Sequence, residues 1–223
     1  MTHKIQDWSN KNYWQKRFDI GDTPWELGNA SGVLKEAISE LAKLGVSIKR
    51  AKTLVPGCGT GEDALFLAHQ GADVIAVDWS TNATDALSKK YSIIKDKVPG
   101  TLKSLIGDFF AVSPEPVELV CEHTFFCAID PINRDLYVTR MLEWLKPGGY
   151  IFGNFFILPD EGVTTLTNNS LAKDGGGPPF ASTVDEINAR FGEMFSIVYL
   201  KPAANPEASR RPGLEWVGIF KRK

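Results

Sequence analysis

Thr53-Leu54-Val55-Pro56-Gly57-Cys58-Gly59-Thr60-Gly61 decides how the rest of the chain is read. An apolar run stops in three glycines at alternate positions, and a helical pattern follows at once. Glycine there lets a strand turn sharply into a helix and lets backbone approach a ligand without a Cβ in the way. The flanking pattern extends this unit along the chain. Strands are predicted over 52–56, 73–77, 102–106, 117–122 and 150–157. Helices are predicted over 10–18, 31–44, 61–70, 80–91 and 131–145, with Ser31 and Ser80 as caps and Gly71 as a stop. The motif Lys146-Pro147-Gly148-Gly149 reads as the end of the fifth helix.

A last helix is predicted over 183–190, then two strands, 195–200 and 215–221, with no helix between them. Strand–helix alternation predicts a Rossmann-like α/β fold: seven strands, mostly parallel, helices on both faces, and a C-terminal antiparallel hairpin. The stretches 159–179 and 202–213 are rich in Gly, Pro, Asn and Ser and read as mobile loops.

Composition sets the class. A chain of 223 residues with 43% hydrophobic and 23% charged residues suits one globular domain, 1–223. The net charge of −2 offers no basic field for a nucleic acid. No apolar run is long enough for a membrane span. Cys58, Cys121 and Cys127 have no zinc or redox spacing, so no metal is expected and a reducing, cytoplasmic setting is.

The glycine turn alone would serve any tight αβ junction, or a dinucleotide. Three features point to S-adenosylmethionine, with S-adenosylhomocysteine as product. The Gly-x-Gly-x-Gly spacing lacks the extra turn of Gly-x-Gly-x-x-Gly that supports a pyrophosphate. The sheet ends in a predicted antiparallel hairpin, while Asp78, ending the second strand 21 residues after Gly57, suits ribose hydroxyls in either kind of site. Gly107-Asp108-Phe109 ends the third, offering an acceptor for the adenine amine beside a ring. Asp78 as a capping carboxylate and Asp108 as a turn residue are the plainer alternatives.

Separated motifs then appear in order: Tyr13-Trp14-Gln15-Lys16-Arg17-Phe18, Gly21-Asp22-Thr23-Pro24-Trp25-Glu26, Val55-Pro56-Gly57-Cys58-Gly59, and Phe125-Phe126-Cys127-Ala128-Ile129-Asp130-Pro131. Together they resemble the thiopurine S-methyltransferase family, and more closely its thiol and halide methyltransferase branch. The resemblance implies a seven-stranded fold and an N-terminal segment, 1–30, lying over the cofactor as a lid. It implies that Trp14, Phe18 and Trp25 surround the sulfonium and substrate, with Gly57 and Gly59 at the cofactor turn. Asp78 and Trp79 are then at the ribose, Asp108 and Phe109 at the adenine, and His123 beside the cofactor after strand four. Arg134 faces the active site, and Phe180 closes a motif bordering the substrate. Phe18 stands where a tryptophan is frequent in the halide branch, and His123 where a tyrosine can occur.

Methyl transfer from a sulfonium is an in-line displacement governed by positioning. Aromatic faces stabilise the cation and exclude water. A thiol with a pKa of about 8.5 needs no strong base. The expected partner is a small-molecule nucleophile, the expected state a monomer. His123 and Arg134 are the expected catalytic residues. A satisfied histidine, and an arginine paired with Asp130 or Asp135, are the structural alternatives. N- or O-methylation with His123 as base, or a non-catalytic module that only binds S-adenosylmethionine, remain open at this level.

Overall fold

The computed structural model describes Trp8, residues 10–158, 178–204 and 213–223. The loop expectations for 159–179 and 202–213 therefore fall largely outside the described residues.

Seven strands form one sheet: β1 (Lys52–Pro56), β2 (Asp73–Asp78), β3 (Thr101–Ile106), β4 (Val117–His123), β5 (Leu145–Phe156), β6 (Phe195–Pro202) and β7 (Glu215–Arg222), in the order β3-β2-β1-β4-β5-β7-β6. β1 to β5 are parallel along the sheet, and β7 is antiparallel to both neighbours. Among the described residues six α-helices accompany it: α1 (Lys11–Asp19), α2 (Gly32–Lys43), α3 (Glu62–His69), α4 (Thr81–Ile94), α5 (Arg134–Trp144) and α6 (Val184–Phe191).

Both faces of the sheet are covered, and the strands show why. Leu54, Ile75, Val77 and Val120 point into one cluster with Tyr137, Trp144 and Phe191 of α5 and α6. Their neighbours Val55, Val74, Ala76 and Leu119 point into the other, with Val33, Leu34, Leu67 and Leu87 of α2, α3 and α4. Alternating side chains that are apolar on both faces are what a buried parallel sheet requires.

Two local expectations are corrected. β5 begins at Leu145, not Tyr150. Leu145 pairs with Val117 and Tyr150 with Leu119, so Lys146-Pro147-Gly148-Gly149 bulges out of a strand that has already started. Ser31 is the residue before α2, but its side chain caps nothing; its backbone N–H donates instead to Asp63 Oδ1 at 3.0 Å. By contrast, the Ser80 side chain accepts from Ala83 N and caps α4.

The strand order reverses between β1 and β4, and their C-terminal ends open the crevice where open α/β sheets bind ligands. α1 has no buried residue and rests on this end of the molecule. Gln15 Oε1 accepts the Thr81 N–H at 2.9 Å, and Asn82 donates to Asp19 at 2.7 Å, so α1 is docked on the start of α4.

Candidate active site

The glycine turn has the backbone its spacing predicts. Gly57, Gly59 and Gly61 all have positive φ, +59°, +53° and +85°. A Cβ on Gly57 would lie 2.3 Å from the Phe125 ring, and one on Gly59 would lie 2.2 Å from Glu26 Oε1. Any side chain there would be strained twice over, by its φ and by its neighbour. Phe125 comes from the turn after β4, so the first glycine lets the ends of β1 and β4 close on each other.

Asp78 ends β2 beside that turn. Its Oδ2 accepts the Gly59 N–H at 2.9 Å and its Oδ1 accepts the Ser80 N–H at 2.8 Å. Burial pushes its carboxyl up from the ordinary value, against the pull of the Ser80, Gly59 and Trp79 N–H groups. Trp79 follows it, half-buried. Asp108 Oδ1 accepts the Phe110 N–H at 2.8 Å in the turn after β3. Gly107 N donates to Asp78 O at 2.9 Å, which brings the two acidic turns side by side. Carboxylate oxygens have further lone pairs, so a ribose and an adenine amine fit these acceptors. Phe109 is buried against Phe110, Phe125 and Tyr137, and its carbonyl accepts from Arg140. Its ring is thus part of the core beneath the turn.

The aromatic residues of the N-terminal segment meet one another. Trp14 and Phe18 each lie edge-on to Trp25, with centroids 5.4 and 5.7 Å apart. The Arg17 guanidinium sits 4.3 Å from the Trp25 ring centre. The Trp8 ring meets Phe180 edge-on at 5.8 Å, and the Trp8 carbonyl accepts from Trp14 Nε1 at 2.8 Å. The segment thus runs from the Phe180 side of the crevice, over α4, back to Glu26 on the glycine turn.

His123 ends β4 and is nearly buried, with its Nδ1 against Asp63 Oδ2 of α3. Burial disfavours its charged form, but the Asp63 charge and hydrogen bond outweigh this, with Glu215 and Glu122 adding to them, and its pKa is raised. Beneath it, the buried Glu122 accepts from the Phe125 and Phe126 N–H groups, both at 2.8 Å, and from Tyr137 OH at 2.5 Å. This carboxylate shapes the turn that carries Phe125.

Arg134 is placed otherwise than expected. Its guanidinium is buried, with Nη1 on both Glu186 oxygens at 2.8 and 2.9 Å, and Nη2 on the Phe180 carbonyl at 2.6 Å. Neither Asp130 nor Asp135 is its partner; Asp135 pairs with Arg190. Arg134 holds Phe180 in place through Nη2, while its buried Nε has no hydrogen-bond partner among the described residues.

Sequence reasoning missed Asp63, Glu26, Glu122 and Arg140. Asp63, an acid in the first turn of a helix, reads as an ordinary complement to the helix dipole. Glu26 stood inside a motif, next to Trp25, and that was its only signal.

No helix among the described residues is long and apolar enough to cross a membrane, and none of their side chains form a group that could hold a metal ion. The fold matches that of magnesium protoporphyrin IX methyltransferase from Synechocystis PCC 6803 with bound S-adenosylhomocysteine, at a TM-score of 0.71 and 15% identity over 96% of this chain and 99% of that one. At the level of sequence, the chain is 32% identical to "Probable thiol methyltransferase 2" of Arabidopsis thaliana, over 100% of this chain and 90% of that protein. It is 28% identical to "Thiocyanate methyltransferase 1" of Brassica oleracea, over 94% and 84%. The family model described as thiopurine S-methyltransferase matches residues 9–216. With that match spanning nearly the whole chain, and with a glycine turn and paired acidic turns that fit the cofactor, the chain belongs to the thiopurine S-methyltransferase family of S-adenosylmethionine-dependent methyltransferases.

Proposed function

We propose that this chain transfers the methyl group of S-adenosylmethionine to a small-molecule thiol or thiolate, with bisulfide, thiocyanate and halides as further acceptors of the same soft kind. The observation that carries this reading is the cluster of Trp14, Phe18 and Trp25 fastened over the glycine turn. The similarity to a protein named as a thiol methyltransferase supports it.

Bound in the crevice, S-adenosylmethionine supplies an electrophilic methyl on a sulfonium. Everything else is done by the chain. Gly57 and Gly59 let the backbone approach, Asp78 and Trp79 hold the ribose side, and Asp108 with the Phe109 turn holds the adenine side. Trp14, Phe18 and Trp25 offer π-faces to the cation, each such contact contributing about 0.5–2 kcal/mol. Arg17 already covers one face of Trp25, so that ring has a single face to give. The aromatic rings also keep water from the acceptor, which sharpens an anionic nucleophile. Phe180, held by Arg134 and touching Trp8, borders the acceptor. His123, with Nδ1 committed to Asp63, has Nε2 left to meet the acceptor. Burial opposes its charged form and Asp63 favours it, and the net upward shift of its pKa inclines it to attract an anion.

The same pair favours a second reading, in which neutral His123 serves as base for an N- or O-acceptor. The segment 1–30 acts as the lid, residues 1–223 work as one domain, and the enzyme acts as a cytoplasmic monomer without a nucleic-acid or membrane partner.

The test is formation of S-adenosylhomocysteine by the purified protein across thiols, bisulfide, thiocyanate and iodide. No product with any of them would end the proposal. Turnover of thiols that His123→Ala leaves unchanged, with none of amines or hydroxyls by wild type, rules out the base reading; an amine or hydroxyl acceptor whose pH–rate profile collapses in His123→Ala would replace the first reading with the second.

A further inference from the structure

Glu26 carries a carboxylate to the glycine turn from a segment far from it in sequence. Its Oε1 accepts the Thr60 N–H at 3.1 Å, and its Oε2 lies against the Thr60 hydroxyl. The same hydroxyl meets both oxygens of Glu62, at 3.1 and 2.8 Å. A hydroxyl has one proton to donate, so two carboxylates compete for it. Lys90 settles the matter for Glu62, bonding its Oε1 and the Thr60 carbonyl at 3.0 Å. Among the described residues no lysine or arginine pairs with Glu26. Two acids and one cation meet at this turn, and the acid without a cation is the one lying over Gly59.

Burial, more than any neighbour, raises the Glu26 pKa from 4.5 to about 7. A carboxylate held where its charge is poorly compensated is suited to a ligand that brings the missing cation. The family's cofactor has two cationic groups. The sulfonium has no N–H to donate and suits aromatic faces. The α-ammonium of the methionyl end is a hydrogen-bond donor and suits a carboxylate. Trp25 and Glu26 are consecutive residues, so one short stretch offers an aromatic face and an acid to cations that a short carbon chain separates.

We propose that Glu26 is the receptor for the α-ammonium of S-adenosylmethionine, so that the N-terminal segment binds the amino-acid end of the cofactor as well as covering it. This rests on the glycine turn being the cofactor's site. It makes the segment selective: a ligand lacking the amine gains less from the closed segment than one that has it.

The experiment is calorimetric titration of wild type and Glu26→Gln with S-adenosylhomocysteine and with its deamino analogue, in which hydrogen replaces the amine. Wild type should prefer S-adenosylhomocysteine, and E26Q should lose about tenfold or more of that preference while binding the analogue as wild type does. Glu26→Asp, which keeps the charge, should retain part of the preference, and this arm stands if E26Q folds poorly. An unchanged preference in E26Q, or an equal loss for both ligands, would overturn the assignment and leave Glu26 as a fastening of the segment alone. Failure of wild type to bind either ligand would overturn the cofactor site itself, and the assignment with it.

Discussion

Asp63 joins three parts of the crevice: one oxygen takes His123 Nδ1 from the end of β4, and the other accepts the Ser31 N–H ahead of α2 at 3.0 Å. A histidine so held has one tautomer when neutral, with the proton on the nitrogen facing Asp63. Asp63 is thus a positioning residue for whatever His123 does.

Replacing Asp63 by Asn keeps an acceptor for Ser31 and removes the charge. The His123 pKa, raised in wild type because Asp63, with Glu215 and Glu122, outweighs burial, should then fall, since burial acts with less opposition. A titration of the His123 ring protons by NMR reads this directly. Stability carries the same sign. The pair stabilises the fold fully below the unfolded histidine pKa of about 6.5 and ceases to as pH rises through the raised value. The wild-type advantage over D63N should therefore be largest in mild acid and shrink as pH rises through the raised value. An advantage independent of pH would show that Asp63 acts through Ser31 alone.

The Arg134–Glu186 pair predicts a loss of stability more than of chemistry. Removing Arg134 leaves the Phe180 carbonyl without its donor and Glu186 with Arg190 only. Breaking a buried pair costs about 3–5 kcal/mol, and the partial exposure of Glu186 places R134A toward the low end. Chemical denaturation measures it. Turnover per folded molecule should hold at saturating acceptor while KM rises, because Phe180 is less firmly placed. A collapse of kcat at unchanged stability would instead return Arg134 to the reacting groups.

These cases mark what was legible in the sequence. β1, β2 and β3 were readable because their apolar runs end in Gly57, Asp78 and Gly107-Asp108 at the crevice. Asp78 and Asp108 were readable because an acid at a strand end is a local pattern. β5 was misjudged because Pro and Gly read as a loop even when pairing resumes at Leu145. The partners of Arg134, His123 and Thr60 were beyond reach for a different reason. They lie 52, 60 and 34 residues away in sequence, and only the packing of α3, α6 and the N-terminal segment brings them together. Local periodicity has no term for that, which is why Asp130 and Asp135 seemed the natural partners for Arg134.

Trp25 predicts a discrimination between two ligands that differ by one methyl and one charge. Its exposed-side π-face serves a sulfonium but gains nothing electrostatic from a neutral thioether. Trp25→Leu should therefore weaken S-adenosylmethionine by about 2- to 30-fold beyond its effect on S-adenosylhomocysteine, from the range of a cation–π contact. Parallel titrations of both ligands give the ratio. Equal weakening would mean that Trp25 acts by packing against Trp14 and Phe18 only.

Glu26 predicts an inversion of stability with pH and ligand. Its folded pKa of about 7 lies above the unfolded 4.5, so the folded protein binds a proton more tightly than the unfolded chain. The stabilisation linked to that proton is fully present below about pH 4.5 and is lost as pH rises through about 7. Glu62 and Lys90 face it across Thr60, but their own ion pair holds Glu62 ionised through this window, its carboxyl lowered by Lys90 against the opposing effect of burial. Glutamine mimics the protonated acid at every pH. Without ligand, E26Q should thus melt close to wild type near pH 5 and above it at pH 8. With S-adenosylhomocysteine at pH 8 the order should reverse, because the ammonium compensates the wild-type carboxylate and gains nothing comparable from the amide. Melting curves at both pH values, with and without ligand, decide it, and a wild-type protein that stays less stable than E26Q even when saturated would show that the carboxylate never meets the amine.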